Sequence, residues 1–311
     1  AYVYVASLRA AVVTPTPTPS GTPTPTPTLR PGETPTLTPT PEPQCKEGPV
    51  WTLLLYLVGD YGDDGALTKD YLELLHRLEQ MRNPCVQAAI QIDGNASIGT
   101  GGLPDTQRWL WTPGGGLQPV NQPLVEEASD VASSLRSFVQ WGQQQLSAPN
   151  YLLSIADHGD GVRGIGWDHT SDRNGSAYLT ADELRQAVTM GAVAPIQVLV
   201  LDACSMGLLD VGYELRGQVE YVVTSQYLGW NFFAYDLYAA GVGEGTGPEQ
   251  MARAVVEQYH QLARERNLPH TIGAWRLARV EAVKTGLDSL AVLLRAWVSQ
   301  DDGSGTRHGY L

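Results

Sequence analysis

The sequence is short of basic residues, of cysteine and of long apolar runs. Lysine and arginine number 20 against 33 aspartates and glutamates, giving a net charge of −13 over 311 residues. Binding a polyanion draws on counterion release at a basic face, which this composition does not supply, so it argues against nucleic acid or an anionic membrane as partner. A cationic substrate or plain solvation suits the charge. The first segment, AYVYVASLRAAVV, has 13 residues and is interrupted by Arg9, too short to span a bilayer. Residues 1–13 read either as the end of a signal or membrane anchor or as an unstructured terminus. Three cysteines allow one disulfide at most and leave one over.

Proline, by contrast, is concentrated. Of 21 prolines, 11 fall between Pro15 and Pro43, alternating with threonine. Residues 14–49 cannot form a core and are expected as an extended polyproline-II stalk, about 90 Å long at roughly 3.1 Å per residue over the proline-rich part. Such stalks hold a domain away from a cell surface, so an extracellular or surface-tethered location is expected. The chain begins with Ala1 and stops at DDGSGTRHGYL directly after a helical pattern. Both ends read as cut from something longer, with a domain over 50–300, truncated at its C-terminal side, and a tail over 301–311.

Within that domain the pattern alternates. VWTLLLYLV (50–58) is an unbroken apolar run, as in a strand buried on both faces. Leu67, Tyr71, Leu74, Leu78 and Met81 follow at helical spacing, then VQAAIQID (86–93). A weaker strand at QRWLW and a helix from about Leu124 to Leu146 come next. The alternation then sharpens: YLLSIAD, a glycine loop, the helix LTADELRQAV with Thr180 and Glu183 in capping-box spacing, IQVLVLDAC, GLLDVGYELRG, VEYVVTS. Helices near 247–266 and 280–298 flank a last strand, TIGAWRL. This predicts a three-layer αβα domain around a mainly parallel six-stranded sheet, with the strand C-termini on one edge. Sites in such sheets lie at that edge.

The glycine loop, SIADHGDGVRGIG (154–166), places Gly159, Gly161 and Gly164 in the spacing of a dinucleotide-binding turn. The helix such a turn must open is missing, because VRGIGWDHTSDRNGSAY has no period of 3.6 residues. Asp157 and Asp160 would also repel a pyrophosphate. A nucleotide-dependent enzyme is therefore disfavoured. The alternative is that His158, after one strand, meets Cys204, after the next. A thiol nucleophile needs a base within reach and donors for an oxyanion. Gly159 leaves its N–H accessible, and the Cys204 N–H is expected at a helix start, where the dipole favours thiolate. Against this stands the ordinary use of a lone cysteine as packing and of a loop histidine as solvated surface. Cys45 and Cys85 each precede a strand; if those strands are parallel neighbours, the two can form a disulfide, the alternative being two free structural cysteines.

DHGDG…WD followed by LDACSMGLLDVGYEL resembles the clostripain family of cysteine peptidases, relatives of caspases and gingipains. WTLLLYLVGD, QIDG, LTADELRQAV and EYVVTSQ are similar to further family segments, so the likeness covers most of the chain after the stalk. It implies a caspase-like fold, a His158/Cys204 dyad, and the N–H groups of Gly159 and Cys204 as oxyanion hole. It implies cleavage of proteins or peptides after Arg or Lys, with Asp202 pairing with the basic side chain in the specificity pocket. Asp236, in YLGWNFFAYD, is a second candidate pocket charge, and Gln226 stands where relatives often carry an acid. The resemblance also implies self-cleavage between His158 and Cys204, expected after Arg173 in SDRNGS with Arg163 second. Some relatives need Ca²⁺; candidate ligands are Asp60, Asp63, Asp64 and Asp93, although acidic loops are more often simply solvated. The competing class is a surface-tethered, inactive recognition module of the same fold.

Overall fold

The computed structural model describes residues 45–59, 66–94, 106–120, 127–169, 171 and 178–299. Elements in chain order are β1 (Trp51–Gly59), α1 (Ala66–Gln80), β2 (Val86–Gly94), β3 (Thr106–Thr112), β4 (Gly116–Pro119), α2 (Ala132–Gln145), β5 (Asn150–Ala156), α3 (Ala181–Gly191), β6 (Ile196–Asp202), α4 (Leu209–Glu214), β7 (Val219–Ser225), α5 (Tyr235–Ala240), α6 (Pro248–Glu265), β8 (Ile272–Arg276) and α7 (Val280–Ser299). They build a three-layer caspase-like α/β fold.

The sheet order is β4-β3-β2-β1-β5-β6-β7-β8. Strands β2, β1, β5, β6 and β7 are parallel, as expected from the alternation. Every residue of β1 is buried. Leu53, Leu55 and Leu57 pack with Tyr71 and Leu74 of α1 and with residues of α5 and α6, whereas Leu54, Tyr56 and Val58 pack with Leu135 and Phe138 of α2 and with α3. A strand covered by helices on both faces is continuously apolar, which explains the unbroken run.

Two expectations change. The sheet has eight strands, not six. The surplus is the antiparallel β3–β4 hairpin, whose first strand is weakly patterned and whose second, GLQP, is too short and too polar to give a periodic signal. Nor do all the strands share one direction, since β3 and β8 run antiparallel to their inner neighbours. For β8 the route explains this. After β7, α5 and its following loop carry the chain to the start of β1, where Trp51 Nε1 donates to the Thr246 carbonyl across 2.8 Å. The 18-residue α6 then returns it to the edge where β7 ended.

Residues 45–50 precede β1 in the described structure. Cys45 is disulfide-bonded to Cys85 with Cα atoms 5.2 Å apart. The bridge lies where β1 and β2 begin, the sheet edge opposite the one that carries Cys204. Helix α2 starts at Ala132 with Val131 as its N-cap, later than the sequence pattern suggests; residues 121–126 lie outside the described residues. The Thr180–Glu183 capping box at the start of α3 is formed. Among the described residues, no helix is long and apolar enough to cross a membrane.

Candidate active site

Strands β5 and β6 are paired in parallel with Ala156 beside Asp202. Their next residues, Asp157–His158–Gly159 and Ala203–Cys204–Ser205, therefore leave the sheet side by side. Gly159 makes the meeting close: a Cβ there would run into the Cys204 carbonyl oxygen and lie 2.9 Å from the Ala203 Cβ. Only glycine lets the two turns touch this way. Asp157 is buried, and its Oδ2 accepts the Trp167 N–H at 2.6 Å, which ties the far side of the glycine loop to the end of β5. His158, between these anchors, is exposed.

The glycine loop itself is a tight reversal. Asp160 N–H donates to Gly164 O at 2.9 Å, Gly161 and Gly164 have φ of 59° and 144°, and Gly159 bridges Ile165. No helix opens among the described residues that follow it before α3, so the phosphate-binding reading falls on geometry. Arg163 sits on this turn, exposed and paired with Asp160 at 3.2 Å. Arg173 lies outside the described residues.

Cys204 is half-buried and its thiol is free of any disulfide. It does not stand at a helix start: α4 begins only at Leu209, so the expected dipole effect is replaced by a local donor. The Gly229 N–H points at the Cys204 sulfur across 3.3 Å. Gly229 is wedged against the nucleophile turn, since a Cβ there would lie 2.9 Å from Ala203 C and 3.2 Å from Cys204 N. Ser205 has φ of 59°, an uncommon conformation for a residue with a side chain. The loop after β7 holds it there: Ser205 N–H donates to Tyr227 O at 2.6 Å and Gly207 N–H to Ser225 O at 2.8 Å.

Asp202, the last residue of β6, is 7% exposed. Its Oδ2 accepts the Tyr235 hydroxyl at 2.8 Å, and that hydroxyl lies 2.7 Å from Ser154 Oγ on β5. Burial pushes the Asp202 carboxyl up to about 6, with the Tyr235 hydrogen bond opposing the rise. Asp202 joins no ion pair among the described residues.

Asp236 is not brought to this carboxylate as a second pocket charge. Neighbouring residues on a helix point about 100° apart, so Tyr235 faces Asp202 while Asp236 faces α1 and pairs with Arg77 Nε at 3.3 Å. Arg77 also donates to the carbonyls of Phe232 and Phe233, so this pair fixes the turn before α5. Of the calcium candidates, Asp93 is buried at the end of β2 and accepts Thr106 Oγ1 at 2.9 Å. Asp60, Asp63 and Asp64 lie outside the described residues. Among the described residues, no three His, Cys, Asp or Glu side chains are grouped to hold a metal.

Gly229, Tyr235 and Ser154 escape a reading of the sequence. The first two lie in the stretch YLGWNFFAYD, where a glycine and a tyrosine carry no pattern that marks a contact with Cys204 or Asp202. Ser154 interrupts the apolar run YLLSIA, and that interruption was its signal.

Residues 115–307 match the clostripain family of peptidases. The chain belongs to the clostripain family. It is 28% identical over 206 residues to clostripain of Hathewaya histolytica, a match covering 51% of this chain and 38% of that protein, so it spans well under half the relative's length. Among solved structures it is similar to a secreted C11 cysteine protease from Bacteroides thetaiotaomicron in complex with an irreversible peptide inhibitor, with TM-score 0.59 and 17% identity over 75% of this chain and 68% of that one. It is also similar to an inactive zymogen C11 protease from Parabacteroides distasonis, with TM-score 0.56 and 16% identity over 81% and 67%. At these identities the structural likeness speaks for the fold.

Proposed function

We propose that this member of the clostripain family is a cysteine endopeptidase that cleaves after arginine or lysine, with Cys204 as nucleophile and His158 as acid and base. One observation carries the specificity: a buried carboxylate with no cation beside it, Asp202, two residues before the cysteine. An uncompensated carboxylate in such surroundings is costly, and a substrate guanidinium or ammonium supplies the missing charge.

In the reaction, His158 takes the thiol proton as the Cys204 sulfur attacks the carbonyl carbon after the basic residue. The negative oxygen is received by the N–H groups of Gly159 and Cys204, and His158 gives its proton to the departing amine as the C–N bond breaks. Water, deprotonated by His158, then attacks the thioester and releases the acid and free thiol. The Gly229 N–H favours the thiolate at the start of the cycle. No step is routed through calcium; whether activity needs it is read by adding a chelator to the purified protein.

The same chemistry supports self-processing after Arg173, with Arg163, on its exposed turn, as the secondary cut. The Cys45–Cys85 bridge and the secreted Bacteroides relative support an extracellular setting, with the Pro/Thr-rich stalk as tether and proteins or peptides bearing basic residues as substrates.

The test is reaction with an arginyl chloromethylketone, read by mass spectrometry, alongside hydrolysis of a fluorogenic arginine peptide. Labelling at Cys204, and loss of turnover in both Cys204→Ala and His158→Ala, are expected. Retention of full turnover in Cys204→Ala would overturn the proposal. Absence of both labelling and turnover in the wild-type chain would favour the inactive recognition module.

A further inference from the structure

The geometry points to Tyr235, relayed from Ser154, as the positioning residue that sets the orientation and charge of Asp202 and so the selection of a basic side chain. This rests on the reading of Asp202 as the specificity acid.

Tyr235 is 1% exposed, and its hydroxyl lies between Asp202 Oδ2 on β6 and Ser154 Oγ on β5. A phenol has one proton. While Asp202 is ionised it can only accept, so Tyr235 donates to it and Ser154 must donate to Tyr235. Once Asp202 is protonated, its own O–H can donate to Tyr235, which then turns its proton to Ser154. The chain thus has two directions, one for each charge state of the acid. A carboxylate rotates freely about its terminal torsion unless something holds it. Here a hydroxyl fixed by a buried ring and a serine fixed in a strand do so.

The groups around Asp202 leave Tyr235 as its main polar support. Tyr71 of α1, Tyr238 of α5 and Tyr259 of α6 each feel the charge of Asp202, and burial holds all three hydroxyls protonated. Asp157, just after β5, raises the pKa of Tyr71 as well and is held by the Trp167 N–H, and Asp70 of α1 acts on Tyr71 in the same direction. Cys204, sensed by Tyr259, and His158 are further titratable groups of the neighbouring turns. No lysine or arginine shifts Asp202; burial raises its pKa and Tyr235 lowers it.

The experiment compares two peptides, identical except for arginine or its neutral isostere citrulline at the cleavage position, and follows the ratio of their kcat/KM from pH 5 to pH 8.5. Titration of His158 and Cys204 affects both substrates and cancels, and so does a general loss of structure. In the wild-type chain the arginine preference should fall on acidification with a midpoint near the Asp202 value of about 6. Tyr235→Phe removes a hydrogen bond to the charged form, so the midpoint should rise by about one pH unit, a roughly fivefold loss of preference at pH 6. Ser154→Ala, which leaves the ring packing untouched, should move it the same way by less, and it alone decides the matter should Tyr235→Phe fail to fold. A variant profile that superimposes on the wild type, while Asp202→Asn abolishes the arginine preference, overturns the role of Tyr235 and leaves Asp202 as the specificity acid. An Asp202→Asn chain that keeps the preference overturns both.

Discussion

The backbone N–H of Gly229 donates to the sulfur of Cys204 across 3.3 Å, joining the loop after β7 to the nucleophile turn after β6. A hydrogen bond to sulfur is stronger to the thiolate than to the thiol, so it acts as a local charge stabiliser where no helix terminus is available. A side chain at 229 has no room, because its Cβ would press on the Ala203 carbonyl carbon at 2.9 Å. Gly229→Ala should therefore displace this donor from the sulfur and slow iodoacetamide alkylation of Cys204 at pH 7 by several-fold. Rates measured against pH check this; an unchanged rate profile removes Gly229 from the site.

Gly159 makes the complementary contact from the β5 side. Its Cβ would collide with the Cys204 carbonyl, and neither turn is free to retreat: Trp167 holds Asp157, and Tyr227 holds Ser205. Overpacking of this sort costs about 1–3 kcal/mol, and a displacement on the order of 1 Å costs about 100-fold in rate. Gly159→Ala should lower kcat/KM by about 100-fold with only a few degrees lost in Tm, a combination read by a turnover assay and a melting curve on the same sample.

Asp202 should cost the fold stability in exchange for its chemistry. Its folded pKa is about 6 against an ordinary 3.8, so the native state binds this proton more tightly than the unfolded chain does. That contribution, about 3 kcal/mol, is fully present below the unfolded value and is lost as pH rises through about 6, so that almost none of it remains at pH 8. Asp202→Asn keeps an acceptor for Tyr235 without the buried charge. It should be more stable than the wild type by about 1–3 kcal/mol at pH 8, with the gap closing towards pH 4. Urea denaturation at the two pH values measures it, and a variant less stable at pH 8 contradicts the account.

What could be read from the sequence follows the range of each interaction. The parallel centre of the sheet was legible because burial on both faces writes a long apolar run into β1 and near-continuous ones, broken by single polar residues, into β2, β5 and β6. The capping box at Thr180 is local and was equally plain. His158 and Cys204 could be named because each follows a strand end, and β5 pairs with β6. The pairing of Tyr235 with Asp202, 33 residues apart, and with Ser154, 81 residues apart, leaves no periodicity. Ser205 likewise takes its positive φ from the Tyr227 carbonyl on another loop, since serine itself has no preference for that conformation. The extra strand β4 is four residues long, below the length at which alternation can be recognised.

The edge of the sheet away from the site is held by a covalent link as well as by backbone hydrogen bonds. The Cys85 carbonyl accepts the N–H groups of Val50 and Trp51 at 2.8 and 3.2 Å, so the start of β1 is bonded to the start of β2 beside the Cys45–Cys85 bridge. The bridge closes a loop with a sequence separation of 40, which in the chain-entropy account removes about 4 kcal/mol of freedom from the unfolded state. Hydrogen bonds and the buried β1 core remain when it is cut, so Cys85→Ser should fold, with stability reduced by about 2–4 kcal/mol and Tm by several degrees. Because the bridge lies at the opposite edge from Cys204, kcat/KM at 25 °C should match the wild type. Reductant should lower the wild-type Tm to that of the variant and leave the variant unmoved. A wild-type Tm insensitive to reductant would mean that the linkage carries no part of the stability, and that the backbone ladder between β1 and β2 holds this end of the sheet unaided.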